Sequence, residues 1–330
     1  MTLIQAKRLK TWFPVTGGVL RRVTGHVKAV DGVDLEVGEG EVVSIVGESG
    51  CGKSTLGYSL LGLARPTAGE LKLLGREIDM RKPASWNAFR KDFQIVFQDP
   101  NNSLNPRHTV FEILAEPMRI HRLYPEKEMH DRVADLLTRV GLEPDYMRRF
   151  PHAFSGGQRQ RIGIARAIGL HPKLLVCDEV VSALDVSVQA QIIELLLQLK
   201  AELDLSLLFI SHDLSLVKTL SDRILVMYLG RIVEAGPARE VFHSPRHPYT
   251  RALIDSIPTL ERGRKPQTLH GEIPSPVNRP SGCAFAQRCP RVEADCRLID
   301  PPLGVPPDAV PEAGGEPAVQ AACLHPLARV

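Results

Sequence analysis

The chain has 330 residues, 43% of them apolar and 24% charged, with a formal net charge of +3. That length allows roughly two domains, and the balance is ordinary for a globular protein. So small a surplus of charge argues against a dedicated nucleic-acid surface. The opening residues, MTLIQAKRLKTWF, lack the apolar core of a signal peptide, and no run approaches the ~18 apolar residues of a membrane span. A cytoplasmic protein that meets a membrane only through partners is expected.

Residues 3–46 read as strands. The aromatic pair Trp12-Phe13 ahead of Pro14 suits either the core or a platform for a base. Val33, Leu35 and Val37 alternate with Asp34 and Glu36, the period-2 pattern of a half-buried strand. Gly38-Glu39-Gly40 turns the chain into the apolar run Val42–Val46, a buried strand. Next comes Gly47-Glu48-Ser49-Gly50-Cys51-Gly52-Lys53-Ser54, followed by Thr55, which fits G-x-x-x-x-G-K-[ST] at every fixed position. In that pattern the glycines let backbone N–H groups turn toward phosphate oxygens, and the helix predicted over Lys53–Leu63 adds its N-terminal dipole. Lys53 would neutralise the β/γ-phosphates and the Ser54 hydroxyl would ligate Mg²⁺.

Ile95-Val96-Phe97 forms a short strand ending on Gln98, either a polar edge or an amide near Mg²⁺ and water. Residues 105–170 read as helical: Met129, Val133, Leu136, Leu137 and Val140 keep 3/4 spacing, and Gly141 stops them. Phe154-Ser155-Gly156-Gly157-Gln158 opens another helix with Ser155 as N-cap, so its start is an ordinary cap or a second anion-binding end. Lys173–Glu179 is a buried strand delivering Asp178 and Glu179 to a sheet edge, where α/β sites lie. Downstream of a phosphate loop, Asp178 suits Mg²⁺ and Glu179 suits polarising the attacking water. Ser182-Ala183-Leu184-Asp185 leads into a helix with Val188, Ile192, Leu195 and Leu199 on one face. Leu205–Ile210 is a further strand; His212 at its end either contacts a γ-phosphate or is a surface residue. Ile224–Tyr228, Leu229-Gly230 and Arg231–Glu234 read as a hairpin.

Taken in order, GESGCGKS, Gln98, FSGGQ, LLVCDE, SALD and His212 closely resemble the ATP-binding subunits of ABC transporters. HSPRHPYT and the cysteine-bearing tail are similar to the dipeptide/oligopeptide/nickel importer subgroup, so the resemblance covers nearly the whole chain. It implies an α/β P-loop NTPase core with a mainly parallel sheet, an N-terminal antiparallel β-subdomain, a helical insert at about 100–170, and an irregular C-terminal extension. The ATPase domain would span 1–242 and the extension 243–330. It further implies that Phe13 stacks on adenine and Gln98 senses Mg²⁺. Ser155, Gly156, Gly157 and Gln158 would contact ATP on the opposite protomer, with Glu179 as general base and His212 as switch. Where the family usually has Pro after that Glu, this chain has Val180.

The implied partners are a second ABC ATPase subunit, two permeases and, indirectly, an extracytoplasmic solute-binding protein, all serving import at the cytoplasmic face of a membrane. A soluble ABC ATPase of translation or DNA repair is the alternative; the single motif set and the lack of a sustained heptad weigh against it.

From residue 263 on, twelve of the 26 prolines mark an irregular segment. Cys51 and Cys177 read as packing residues, whereas Cys283, Cys289, Cys296 and Cys323 cluster in this tail. Disulfides do not suit a cytoplasmic ATPase, and no tight pair of the usual structural-zinc type occurs. Four thiolates can hold an iron–sulfur cluster. The subgroup resemblance implies [4Fe–4S], with Zn²⁺ or free thiols as alternatives.

Overall fold

The computed structural model describes residues 1–17, 22–257, 271–272, 274–306 and 319–329. Its strands are β1 (Thr2–Gly17), β2 (Arg22–Gly38), β3 (Val42–Val46), β4 (Ala68–Leu73), β5 (Arg76–Glu77), β6 (Phe93–Val96), β7 (Leu174–Asp178), β8 (Ser206–Ser211), β9 (Arg223–Tyr228), β10 (Arg231–Pro237) and β11 (Gln320–Ala321). Its α-helices are α1 (Lys53–Leu60), α2 (Pro100–Ser103), α3 (Val110–Ile120), α4 (Met129–Arg139), α5 (Gly156–Ile168), α6 (Val186–Leu203), α7 (Leu214–Leu220), α8 (Ala238–His243) and α9 (Pro248–Asp255). The chain divides into two compact units. One is Met1, Gly38–Glu41 and Pro83–Phe209; the other is Thr2–Val37, Val42–Lys82 and the described part of Ile210–Val330.

In the first unit β6 and β7 run parallel, Phe93 facing Leu174 and Val96 facing Cys177. Every residue of β7 is buried, so its apolar run needs cover on both faces, as parallel strands do. The stretch read as helical resolves into α3, α4 and α5. Glycine and proline separate them: Gly141 takes φ 71° after α4, and Pro144 and Pro151 each begin a short 3₁₀ turn. Thr109 and Ser155 close capping boxes with Glu112 and Gln158, satisfying donors that a bare helix start leaves open. The apolar stripe of α4 buries Met129, Val133, Leu136 and Leu137.

The second unit contains an antiparallel sheet of order β2-β1-β4-β5. It also holds the β11-β10-β9-β3 strands, in which β3 and β9 are parallel. The hairpin β9–β10 turns on Leu229-Gly230, with φ 42° and 80° at the two positions, the left-handed pair that a tight two-residue hairpin turn demands. Helix α1 ends at Leu60 rather than Leu63, because Gly62 at φ 69° unwinds the chain.

The HSPRHPYT stretch is anchored on β10. Glu234 is fully buried, and its two carboxylate oxygens accept the N–H groups of Arg246 at 2.7 Å and His247 at 2.8 Å. Burial pushes this carboxyl up to about 7 and the buried His247 imidazole down to about 4. His247 Nδ1 in turn accepts the Tyr249 N–H at 3.0 Å and caps α9.

Candidate nucleotide site

The phosphate loop lies in the second unit, between β3 and α1. Gly47, Gly50 and Gly52 take φ 152°, 78° and 110°, conformations that side chains disfavour. Two of the three are also packed against backbone. A Cβ on Gly47 would lie 2.2 Å from the Met227 carbonyl oxygen, and one on Gly52 would lie 2.0 Å from that of Ala29. The Cys51 carbonyl accepts the N–H of Gly230 at 2.9 Å, so the β9–β10 turn braces the loop. Lys53 is buried, and its Nζ donates to the carbonyls of Gly47 at 2.9 Å and Glu48 at 3.0 Å. The ammonium therefore bridges the loop, where an incoming phosphate would replace neutral carbonyls with charged oxygens. Ser54 and Thr55 are half-buried on the first turn of α1, and Ser49 is exposed. Cys51 is buried, which raises its thiol and fits a packing role; Cys177 is fully buried likewise.

Gln98, Asp178, Glu179 and Ser155–Gln158 lie in the first unit. There the structure joins Gln98 to Glu179, the amide Nε2 donating to Glu179 Oε2 at 2.9 Å. Glu179 takes φ 46°, a left-handed conformation rare outside glycine and typical of functional turns. Ser182 holds that turn, its Oγ donating to the Glu179 carbonyl at 2.9 Å. Val180, the departure from the usual Pro, is buried and supplies packing at this turn. Asp178 is buried at the end of β7.

At the start of α5, Ser155 Oγ accepts the Gln158 N–H at 3.3 Å and Gln158 Oε1 accepts the Ser155 N–H at 3.1 Å. Gly157 has a packing reason as well. A Cβ there would meet Val188 Cγ1 of α6 at 2.6 Å.

Two further candidate residues are exposed. Phe13 is exposed, not core, and Trp12 is half-buried between Lys10 and Lys28, whose ammonium nitrogens lie 5.2 Å and 5.0 Å from its ring centre. His212, in the second unit, is exposed at the end of β8, beside Asp213, which caps α7.

The tail cysteines come together in the second unit. Cys283 N–H donates to the Cys296 carbonyl at 2.8 Å. A Cβ on Gly282 would lie 2.5 Å from the Cys296 carbonyl oxygen, so the two strands of chain cross at backbone distance. Burial, reinforced by Cys283, Cys289 and Cys296, pushes the Cys323 thiol up to about 11. Sequence reading missed a neighbouring set: Asp295, Cys296 and His325 offer ligand atoms all within 4.8 Å of one another. His325 Nε2 lies 3.0 Å from both Asp295 oxygens. The only signal was their proximity in sequence to Cys296 and Cys323.

A strand, a glycine-rich loop with a buried lysine and a helix define a P-loop nucleotide-binding protein of the α/β class. Residues 30–182 match the ABC transporter family, and residues 233–296 match the C-terminal region of oligopeptide/dipeptide transporters. The chain is 54% identical over 282 residues to the oligopeptide transport ATP-binding protein OppF of Escherichia coli K12, covering 84% of each. It is 48% identical over 301 residues to AppF of Bacillus subtilis 168, covering 90% of this chain and 92% of that one. Among solved structures, cbiO1 of Clostridium perfringens, part of the ABC transporter complex cbiONQ, superposes with a TM-score of 0.62 at 29% identity, covering 73% of this chain and 90% of that one. The ATP-binding cassette MJ0796, a dimer in a post-hydrolysis state with ADP and phosphate, gives 0.63 at 27%, covering 72% and 99%. The chain belongs to the ABC transporter family of ATP-binding subunits, in the branch of the oligopeptide transport ATP-binding proteins.

Proposed function

We propose that this chain hydrolyses ATP to drive import of di- or oligopeptides, acting as one of two ATPase subunits beneath a pair of permeases. The phosphate loop carries the reading. Its glycine conformations and the buried Lys53 form a cradle that side chains would fill. No helix among the described residues is long and apolar enough to cross a membrane, in keeping with a subunit held at the cytoplasmic face by partners. The match to the transporter C-terminal region over residues 233–296 favours transport over a role in translation or DNA repair.

Ser54, Gln98 and Asp178 present hard oxygen donors of the kind Mg²⁺ takes, and bound Mg²⁺ would neutralise charge on the β- and γ-phosphates. Glu179, oriented by the Gln98 amide, takes the proton of the attacking water. Phosphoryl transfer needs charge compensation on all sides of the γ-phosphoryl group. The signature residues Ser155–Gln158 of a second protomer would supply it, so closure of two subunits precedes hydrolysis.

In the tail, burial and then the neighbouring thiols raise the proton affinity of Cys283, Cys289 and Cys323, a set that a bound cation would relieve by holding them as thiolates. Cys283, Cys289, Cys296 and Cys323 would hold a [4Fe–4S] cluster, with Zn²⁺ as the alternative. Its role is to clamp a segment too rich in proline to fold alone.

Uptake of a labelled tripeptide by cells carrying the wild-type chain or Lys53→Ala tests the transport reading. Loss of both uptake and ATP turnover in the variant is expected; uptake that survives Lys53→Ala refutes it. Iron, sulfide and zinc analysis after anaerobic purification tests the tail.

A further inference from the structure

Glu48, the second residue of the phosphate loop, is held at three separate groups. Its carbonyl accepts Lys53 Nζ at 3.0 Å, and its N–H donates to Tyr249 Oη at 2.9 Å. Its carboxylate meets a guanidinium from the cysteine-bearing segment: Arg288 Nη1 donates to Oε2 at 2.7 Å and Nη2 to Oε1 at 2.9 Å. The Arg288 side chain is only 3% exposed, so this bidentate pair is desolvated on the arginine side and geometrically specific.

Arg288 is also firmly placed. It precedes Cys289, and its N–H donates to the Phe285 carbonyl at 2.9 Å. Phe285 packs on Tyr228 and Tyr249 with ring centres 5.4 Å and 5.3 Å away, and those two tyrosines stand 4.7 Å apart. Tyr249, which holds the Glu48 N–H, thus belongs to the same aromatic cluster that seats Arg288.

We propose that Arg288 is a positioning residue for the phosphate loop, making nucleotide affinity depend on the folded cysteine-bearing segment. The proposal rests on the nucleotide reading of that loop. Its physical basis is charge. An unpaired Glu48 carboxylate would compete with phosphate for the Lys53 ammonium and would repel the nucleotide's own negative charge. Arg288 neutralises that carboxylate and keeps its backbone where Tyr249 fixes it.

The test is titration of the purified full-length chain with a fluorescent ATP analogue. Arg288→Met is expected to raise the analogue's Kd about tenfold, inside the usual range for coupling between two sites, and Arg288→Lys to recover most of the loss. In a Glu48→Gln background, which removes the carboxylate charge, Arg288→Met should change affinity by less than about twofold, the mark of a pair acting together. Equal losses from Arg288→Met in both backgrounds would overturn the proposal, as would unchanged affinity in the single variant. Should Arg288→Met fail to fold, Arg288→Gln decides in its place: the neutral amide must weaken binding in the wild-type background and leave it unchanged in Glu48→Gln. A wild-type chain that binds no analogue would instead sink the nucleotide reading itself.

Discussion

Gly52 and Gly50 sit two residues apart in the phosphate loop, yet alanine should act on them very differently. Gly52 adopts φ 110° and ψ 3° at the N-cap of α1. A Cβ there would lie 2.0 Å from the Ala29 carbonyl oxygen and 2.9 Å from Met227 Cε. The methionine end can move, but the Ala29 oxygen belongs to the backbone of β2 and cannot. Strain at such a φ costs about 1–3 kcal/mol, and forcing the strand aside adds about 1–3 kcal/mol. Gly52→Ala is therefore expected to lose about 2–6 kcal/mol, a large share of the ~5–15 kcal/mol that holds a typical domain. Gly50 has φ 78° and open space within 4 Å of its Cβ position, so Gly50→Ala should cost only the strain, about 1–2 kcal/mol. Urea unfolding of the two variants followed by circular dichroism measures the difference. Equal midpoints would show that the Ala29 contact does not constrain the loop, and the packing explanation for its glycines would be wrong.

Three further outcomes are expected. Glu179→Gln keeps an oxygen for the Gln98 amide that now donates to Oε2 while removing basicity, so ATP turnover should fall about 10²–10⁴-fold. Nucleotide affinity should hold, and an ATP-dependent dimer should appear on gel filtration; unchanged turnover would remove Glu179 from its role. Ser155→Ala deletes the oxygen that accepts the Gln158 N–H and should cost about 1 kcal/mol of stability, read from thermal unfolding. Glu234 has a folded pKa of about 7 against an ordinary 4.5, so its contribution to stability is fully present below about 4.5 and is lost as pH rises through 7. Each pKa unit is worth about 1.4 kcal/mol, so Glu234 alone removes about 3 kcal/mol across that window, while the buried His247, folded near 4 against an ordinary 6.5, returns about as much. Wild type should therefore stay nearly flat in urea unfolding, and Glu234→Gln should gain stability as pH rises.

The elements that sequence reading placed well are those whose cause is local. Val42–Val46 and Leu174–Asp178 are apolar runs that only a doubly covered strand explains, and both are buried throughout. Ser155 announces an N-cap, and it caps α5, with Gln158 completing a capping box. Leu229-Gly230 announces a tight turn, and the two positive φ values follow. Phe13 shows the limit of such reasoning. An aromatic in a strand pattern suits the core by propensity, yet its exposure is set by what covers that face of the sheet, which no local pattern encodes. Glu179 shows another limit, since no propensity places a glutamate at φ 46°. That strain is held by Ser182, three residues on, and by Gln98, 81 residues back.

The tail was the hardest part to read, and the reason is separation along the chain. Motif rules follow spacings of a few residues, because those are the distances at which one loop or helix turn brings groups together. Glu48 and Arg288 are 240 residues apart, and His325 and Asp295 are 30 apart; neither pair belongs to a repeating pattern. What creates the first is the anchoring of the extension within the loop-bearing unit. Glu234 fixes the start of α9, Tyr249 on that helix reaches the Glu48 N–H, and the aromatic cluster then seats Phe285 and with it Arg288. A buried carboxylate in β10 thus sets, through two further contacts, where a guanidinium meets the phosphate loop. The extension is therefore part of the nucleotide site's frame, and losing the Glu234 anchor should disturb the loop as surely as losing Arg288.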